Sequence, residues 1–161
     1  MKESILKGTS FGITSGIITT LGLMVGLYSG TNSKMVVLGG ILTIAIADSF
    51  SDALGIHISE EAENKHTEKQ IWVATIFTFI SKFLMASFFL IPVLLFQLKT
   101  AILVSIFIGL LLISVLSYKL AKMQKIKAIN VIFEHLIVAI LVIFLTYITG
   151  LFISEYFTNT I

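Results

Sequence analysis

The chain has 161 residues, 57% of them hydrophobic, and a formal net charge of +2; its mean hydropathy is +1.02. Ordinary soluble domains have an apolar share of about one half, so this composition argues against a water-soluble fold, and so small a charge gives no basis for nucleic-acid binding. The chain has no cysteine, which excludes thiolate metal sites, disulfides and thiol redox chemistry and leaves oxygen, imidazole and thioether as metal donors.

A helix needs about 20 apolar residues to cross a bilayer. Stretches of this kind occupy residues 10–29, 36–56, 71–96, 100–118 and 129–153. They predict an all-α polytopic membrane protein, with five transmembrane helices in one bundle and a single domain over residues 1–161. The second helix is expected to run on to residue 63. The first stretch is too long and too rich in Gly and Thr for a secretory signal and is expected to be retained. All eleven basic residues are lysines; eight flank the N-terminus, loop 2 and loop 4, against two at loops 1 and 3. By the positive-inside rule the N-terminus lies in the cytoplasm and the C-terminus on the opposite side.

The first span carries glycines at 8, 12 and 16 and again at 22, 26 and 30. Glycines four apart share a helix face and let another backbone approach closely. Gly12, Gly16, Gly22 and Gly26 are therefore packing positions, either within the chain or at a subunit interface, with Thr14, Ser15, Thr19 and Thr20 supplying polar surface.

The second span carries Asp48 and Asp52 and runs on into Ser59, Glu60, Glu61, Glu63 and His66. At 100° per residue the two aspartates share a face, and Gly55, Ser59, Glu63 and His66 fall within about 60° of it. Such a stripe of oxygen and imidazole donors suits Fe(II), Mn(II), Zn(II) or Ca(II). Glu60, Glu61, Glu63 and Glu68 also read as a solvated linker paired with Lys65 and Lys69. Asp48 and Asp52 resist that reading, because a carboxylate inside the bilayer is costly without a role.

The third span holds Lys82, the lone proline Pro92 near its outer end, and Trp72 at the inner interface. The fourth is apolar on every face, as expected of a helix with much lipid contact. The fifth holds Glu134 and His135. A rise of about 1.5 Å per residue puts Asp48 and Lys82 near the middle of the membrane, with Asp52, Glu134 and His135 a turn or two from the cytoplasmic edge. Asp48 and Lys82 then form a buried pair, either purely structural or holding the acidic site while no cation is bound. Asp52, Glu134 and His135 are candidates for proton exchange, since a metal ion can displace a proton from a buried carboxyl group.

These residues resemble the vacuolar iron transporter-like family, whose second span typically reads A-D-A-I-S-M-G-L-G-E-Y-L-S-x-x-A-E. Ala47 to Glu63 reads ADSFSDALGIHISEEAE, sharing Ala47, Asp48, Ser51, Leu54, Gly55, Ser59, Ala62 and Glu63. The family's first-span pattern, S-D-G-L-T-x-P-F-A-L-x-A-G, is similar to TSGIITTLGLMVG from Thr14 to Gly26. The resemblance implies a five-helix bundle, a homodimer with the pathway between the two first helices, and export of Fe(II) or Mn(II) from the cytoplasm in exchange for protons. Metal is then substrate, and no tightly bound cofactor is expected. No enzyme activity is expected either, since H-E-x-x-H does not occur.

The chain departs from the family at Ser15, where the family has an aspartate, and at Asp52, where it has a methionine. With the thioether gone, preference moves towards harder ions such as Mn(II) or Ca(II). The glutamate-rich cytoplasmic domain between spans 2 and 3 is reduced to residues 57–70, and Lys82 has no counterpart. The resulting expectation gives Asp52 midpath coordination and Asp48 an orienting or relay role. Ser15, Thr19, Ser51 and Ser59 line the pathway, and Glu60, Glu63 and His66 form the cytoplasmic mouth. Lys82, Glu134 and His135 serve as proton relay or ion pair. The rival expectation is a non-transporting membrane scaffold that keeps the fold, with the pathway closed by Lys82.

Overall fold

The computed structural model describes residues 1–157. They form α1 (Lys2–Thr31), α2 (Lys34–Ala62), α3 (Glu68–Phe88), α4 (Leu90–Leu95), α5 (Leu98–Gln124) and α6 (Ala128–Phe157). No strand occurs among the described residues. Five segments are long and apolar enough to cross a membrane, α3 and α4 together making the third. The helices overrun the apolar windows because the flanking Lys, Glu and Ser residues continue the backbone hydrogen-bond ladder beyond the apolar layer.

Short turns make consecutive helices antiparallel neighbours. α1 ends at Asn32, which adopts the left-handed conformation (φ 47°), and Ser33 caps α2 by accepting from the Val36 amide. Thr67 and Gln70 form a reciprocal capping box at the start of α3. Lys125, also left-handed (φ 58°), ends α5. The third span is broken at Phe89, which ends α3 and begins α4. Pro92 falls in the first turn of α4, where a helix has no partner for the amide hydrogen that proline lacks.

α1 is the central helix, packed on α2, α3, α5 and α6. Its two glycine series serve different neighbours. Gly8, Gly12 and Gly16 lie against the α3 backbone at Ala74, Thr78 and Lys82, whereas Gly22, Gly26 and Gly30 meet α6 at Val142, Thr146 and Gly150. The six-residue step from Gly16 to Gly22 explains the switch: six residues turn the helix by about 240°, four by only about 40°. Of the two uses expected for these glycines, the structure shows packing within the chain.

The core gathers Ile17, Leu21, Met24 and Val25 of α1 with Val37, Ile41, Phe89, Val93, Ala101, Ile102, Ile113 and Ala139. Large apolar side chains cover the exterior, among them Leu42, Ile46, Phe107, Phe133, Phe144 and Leu151. Such a surface is stable only against lipid. The most lipid-facing helix is α6, where Ala139 and Gly150 alone are buried among its described residues. α5, expected to have much lipid contact, exposes Leu103, Phe107 and Leu111 and buries one line of small and apolar residues including Ser105, Gly109, Ile113 and Ser117.

Candidate functional site

α2 buries Val37, Ile41, Ala45, Ser49, Ala53, Ile56 and Glu60, a stripe repeating at helical spacing against α1 and α3. Asp48 and Asp52 each stand one position before a buried residue of that stripe, at the edge of the α2–α3 contact. Lys82 of α3 meets both. Its Nζ lies 2.5 Å from Asp48 Oδ2 and 2.5 Å from Asp52 Oδ2, and it donates to Ser15 Oγ of α1 at 2.8 Å. Lys82 is 1% exposed. Ser15, expected on the pathway, and Lys82, expected to pair with Asp48, thus belong to one cluster, and Asp52 joins it although depth alone had set it nearer the cytoplasm. Two carboxylates surround one ammonium group.

The two aspartates differ in what else they face. Asp48 lines a groove of about 600 Å³ between α1 and α2, together with Leu23, Leu27, Gly40, Thr43, Ala47 and Ser51. Asp52 is not part of that lining. The groove side of α2 carries a small residue at every fourth position, Gly39, Thr43, Ala47, Ser51, Gly55 and Ser59, all exposed. Thr19 borders a second groove with Thr146, Thr149 and Gly150 of α6, and its Oγ1 donates to the Ser15 carbonyl at 2.8 Å.

A second acidic cluster closes the far end of α2. Ligand atoms of Glu60, Glu63 and His66 all lie within 4.8 Å of one another. Glu60 is 1% exposed; its Oε1 pairs with the Lys7 ammonium of α1 and its Oε2 stands 3.3 Å from His66 Nδ1. Glu63 Oε1 is 3.4 Å from the same Lys7 ammonium. Lys7 precedes the apolar run that begins at residue 10, and the hydrogen bond it donates to Glu60 raises its pKa above the usual lysine range, with burial opposing this. Glu61 and Glu68 are exposed, as a solvated linker requires. Glu60 is not: its partner is Lys7, from another helix, and not Lys65 or Lys69. The sequence signal for this was the buried stripe itself, since Ala45, Ser49, Ala53, Ile56 and Glu60 follow in helical register.

Glu134 and His135 do not join these clusters. His135 Nδ1 lies 2.7 Å from Ser117 Oγ of α5 and Glu134 is exposed on α6, a helix that packs on α1 and α5. The structure therefore brings neither of them to Asp52 as a proton partner. His57, which sequence reasoning left aside, is tied to α3 through Thr75 Oγ1 at 3.0 Å and packs edge-on against Trp72.

No match was found among curated proteins or among solved structures. The VIT family model matches residues 6–73, which comprise most of α1, all of α2 and the start of α3; α4 to α6 lie outside the match. The matched part contains Ser15, Asp48, Asp52, Glu60, Glu63 and His66, and over these residues the chain is similar to the VIT family.

Proposed function

We propose that the protein carries a divalent transition metal ion, Fe(II) or Mn(II), out of the cytoplasm in exchange for protons. The observation that carries this reading is that one helix, α2, presents two carboxylate clusters: Glu60 and Glu63 with His66 at its end, and Asp48 with Asp52 in its interior. The step of eight positions from Asp52 to Glu60 spans about 12 Å. Carboxylate and imidazole donors without thiolate suit Mn(II) and Fe(II). The end cluster captures the ion, Asp52 is the next acid along α2, and Asp48, one turn further in, borders the α1–α2 groove. Lysines concentrate at the α2–α3 and α5–α6 turns and the N-terminus, which supports a cytoplasmic position for the Glu60 end.

A second copy completes the pathway. A carboxylate-lined groove cannot stay open to hydrocarbon, and the small-residue stripe of α2 has the form of a close helix contact. A methyl group added at Gly39 or Gly55 would meet nothing within 4 Å. Because the chain lacks cysteine, Thr43→Cys and Ser51→Cys each install a single thiol, and oxidative cross-linking of either in membranes is the expected signature of that pairing.

The test is metal flux into proteoliposomes carrying a metal-sensitive dye under a pH gradient. Wild-type protein should pass Mn(II) or Fe(II), and Asp48→Asn, Asp52→Ala and Glu60→Gln should each reduce the rate at least about tenfold. Flux indifferent to all three substitutions overturns the assignment. One observation favours the rival scaffold, namely the near-complete burial of Lys82 between both aspartates. Absence of flux for Fe(II), Mn(II), Co(II), Zn(II) and Ca(II) alike would decide for it.

A further inference from the structure

Resting on the transport reading, we propose that Lys82 is a specificity-determining residue: its ammonium is a tethered competitor for the mid-membrane cation site, which only a divalent ion displaces. Three oxygens, from α1 and from two successive turns of α2, converge on Nζ within 2.8 Å. An ammonium offers three N–H groups and no acceptor, so this is the environment of a small bound cation, supplied here by the chain itself. The lysine is also rigidly mounted. Gly12 and Gly16 hold the α1 backbone against residue 82, such that a methyl group at Gly12 would stand 3.0 Å from the Lys82 amide nitrogen and one at Gly16 would stand 3.2 Å from its carbonyl oxygen. Only the flexible stem beyond the backbone is free to withdraw the charge.

Tethering gives the ammonium a high effective concentration at Asp48 and Asp52. A monovalent ion arriving at the site exchanges one unit of charge for another and gains nothing over the group already in place. A divalent ion brings twice the charge to the same two carboxylates. Asp48 also lines the groove, while Asp52 does not. The same arrangement recurs at the end of α2, where Lys7 from a neighbouring helix covers Glu60.

The experiment measures Mn(II) binding to purified full-length protein in detergent by loss of the free-ion electron paramagnetic resonance signal. Sodium is compared with N-methylglucamine at equal ionic strength. Wild type and Lys82→Arg should bind Mn(II) with the same affinity in either salt. Lys82→Met should bind about a hundredfold more tightly, the scale on which a like charge opposes a partner, and sodium should now compete. Adding Asp48→Asn and Asp52→Asn to Lys82→Met should abolish the gain. Unchanged affinity in Lys82→Met, or equal sodium competition in wild type and Lys82→Met, overturns the proposal. Should Lys82→Met not yield a monodisperse protein, the wild type decides: Mn(II) should increase acetylation of Lys82 by an amine-reactive reagent, read by mass spectrometry, and no increase overturns the proposal. Flux separates this inference from the one beneath it. Tighter binding in Lys82→Met with no wild-type flux sinks transport alone, whereas Asp48-dependent flux with unchanged Lys82→Met binding sinks the competitor alone.

Discussion

Replacing Gly12 with alanine tests whether the close approach of α1 to α3 organises the protein. In an open helix interior the substitution stabilises by about 0.5–1 kcal/mol, because glycine loses more backbone freedom on folding. At Gly12 the added methyl would stand 2.6 Å from the Thr78 carbonyl oxygen and 2.6 Å from Ser81 Oγ. Ordinary contact begins at 3.4 Å, so α3 must retreat by about 0.8 Å, the difference between these two distances. Ser81 can change rotamer, but the Thr78 carbonyl is backbone and cannot. Overpacking of this kind costs about 1–3 kcal/mol, which exceeds the propensity gain. Gly55, whose added methyl meets nothing within 4 Å, provides the control with the propensity gain alone. Because the propensity gain is common to both, the two variants should differ by about 1–3 kcal/mol, or roughly 2–12 °C in melting temperature for a chain of this size. Thermal unfolding in a single detergent, followed through Trp72 fluorescence on the monomeric fraction, measures the gap. A Gly12→Ala protein that melts at or above Gly55→Ala would refute the claim that this crossing sets the α1–α3 distance.

Three further outcomes are expected. Thr67→Ala removes one half of the capping box at α3 and should lower stability by about 1 kcal/mol, read as a modest drop in melting temperature. Asp48→Ala combined with Asp52→Ala leaves the Lys82 ammonium buried with Ser15 alone; this should cost about 3–5 kcal/mol, and adding Lys82→Met should recover most of it in the same melt. Mn(II) at a hundred times its dissociation constant should stabilise the wild type by about 2.7 kcal/mol. In Glu60→Gln the metal concentration needed for the same rise in melting temperature should increase at least about tenfold, because the end cluster then loses its buried carboxylate.

By itself the sequence determined the spans, the all-α class and the exclusion of thiolate chemistry. Membrane insertion depends on runs of about 20 apolar residues, and such runs are local. The pairing of Asp48 with Lys82 was also legible, from their similar depth along straight helices. The inclusion of Asp52 was not, because depth places backbones, whereas a four-carbon lysine stem reaches across the helical turn of about 6 Å that separates the two aspartates. Only the tertiary structure decided that Ser15 completes the cluster, that Glu60 is buried under Lys7, and that Asp48 alone of the two aspartates faces the groove. Those outcomes depend on the rotation and axial register of α1 against α2 and α3. Register is fixed where Gly8, Gly12 and Gly16 let two backbones touch, through contacts between residues as far apart in the chain as Ser15 and Lys82. A periodic pattern within one helix shows which residues share a face, but which neighbouring helix that face meets is decided by all the helices packing together.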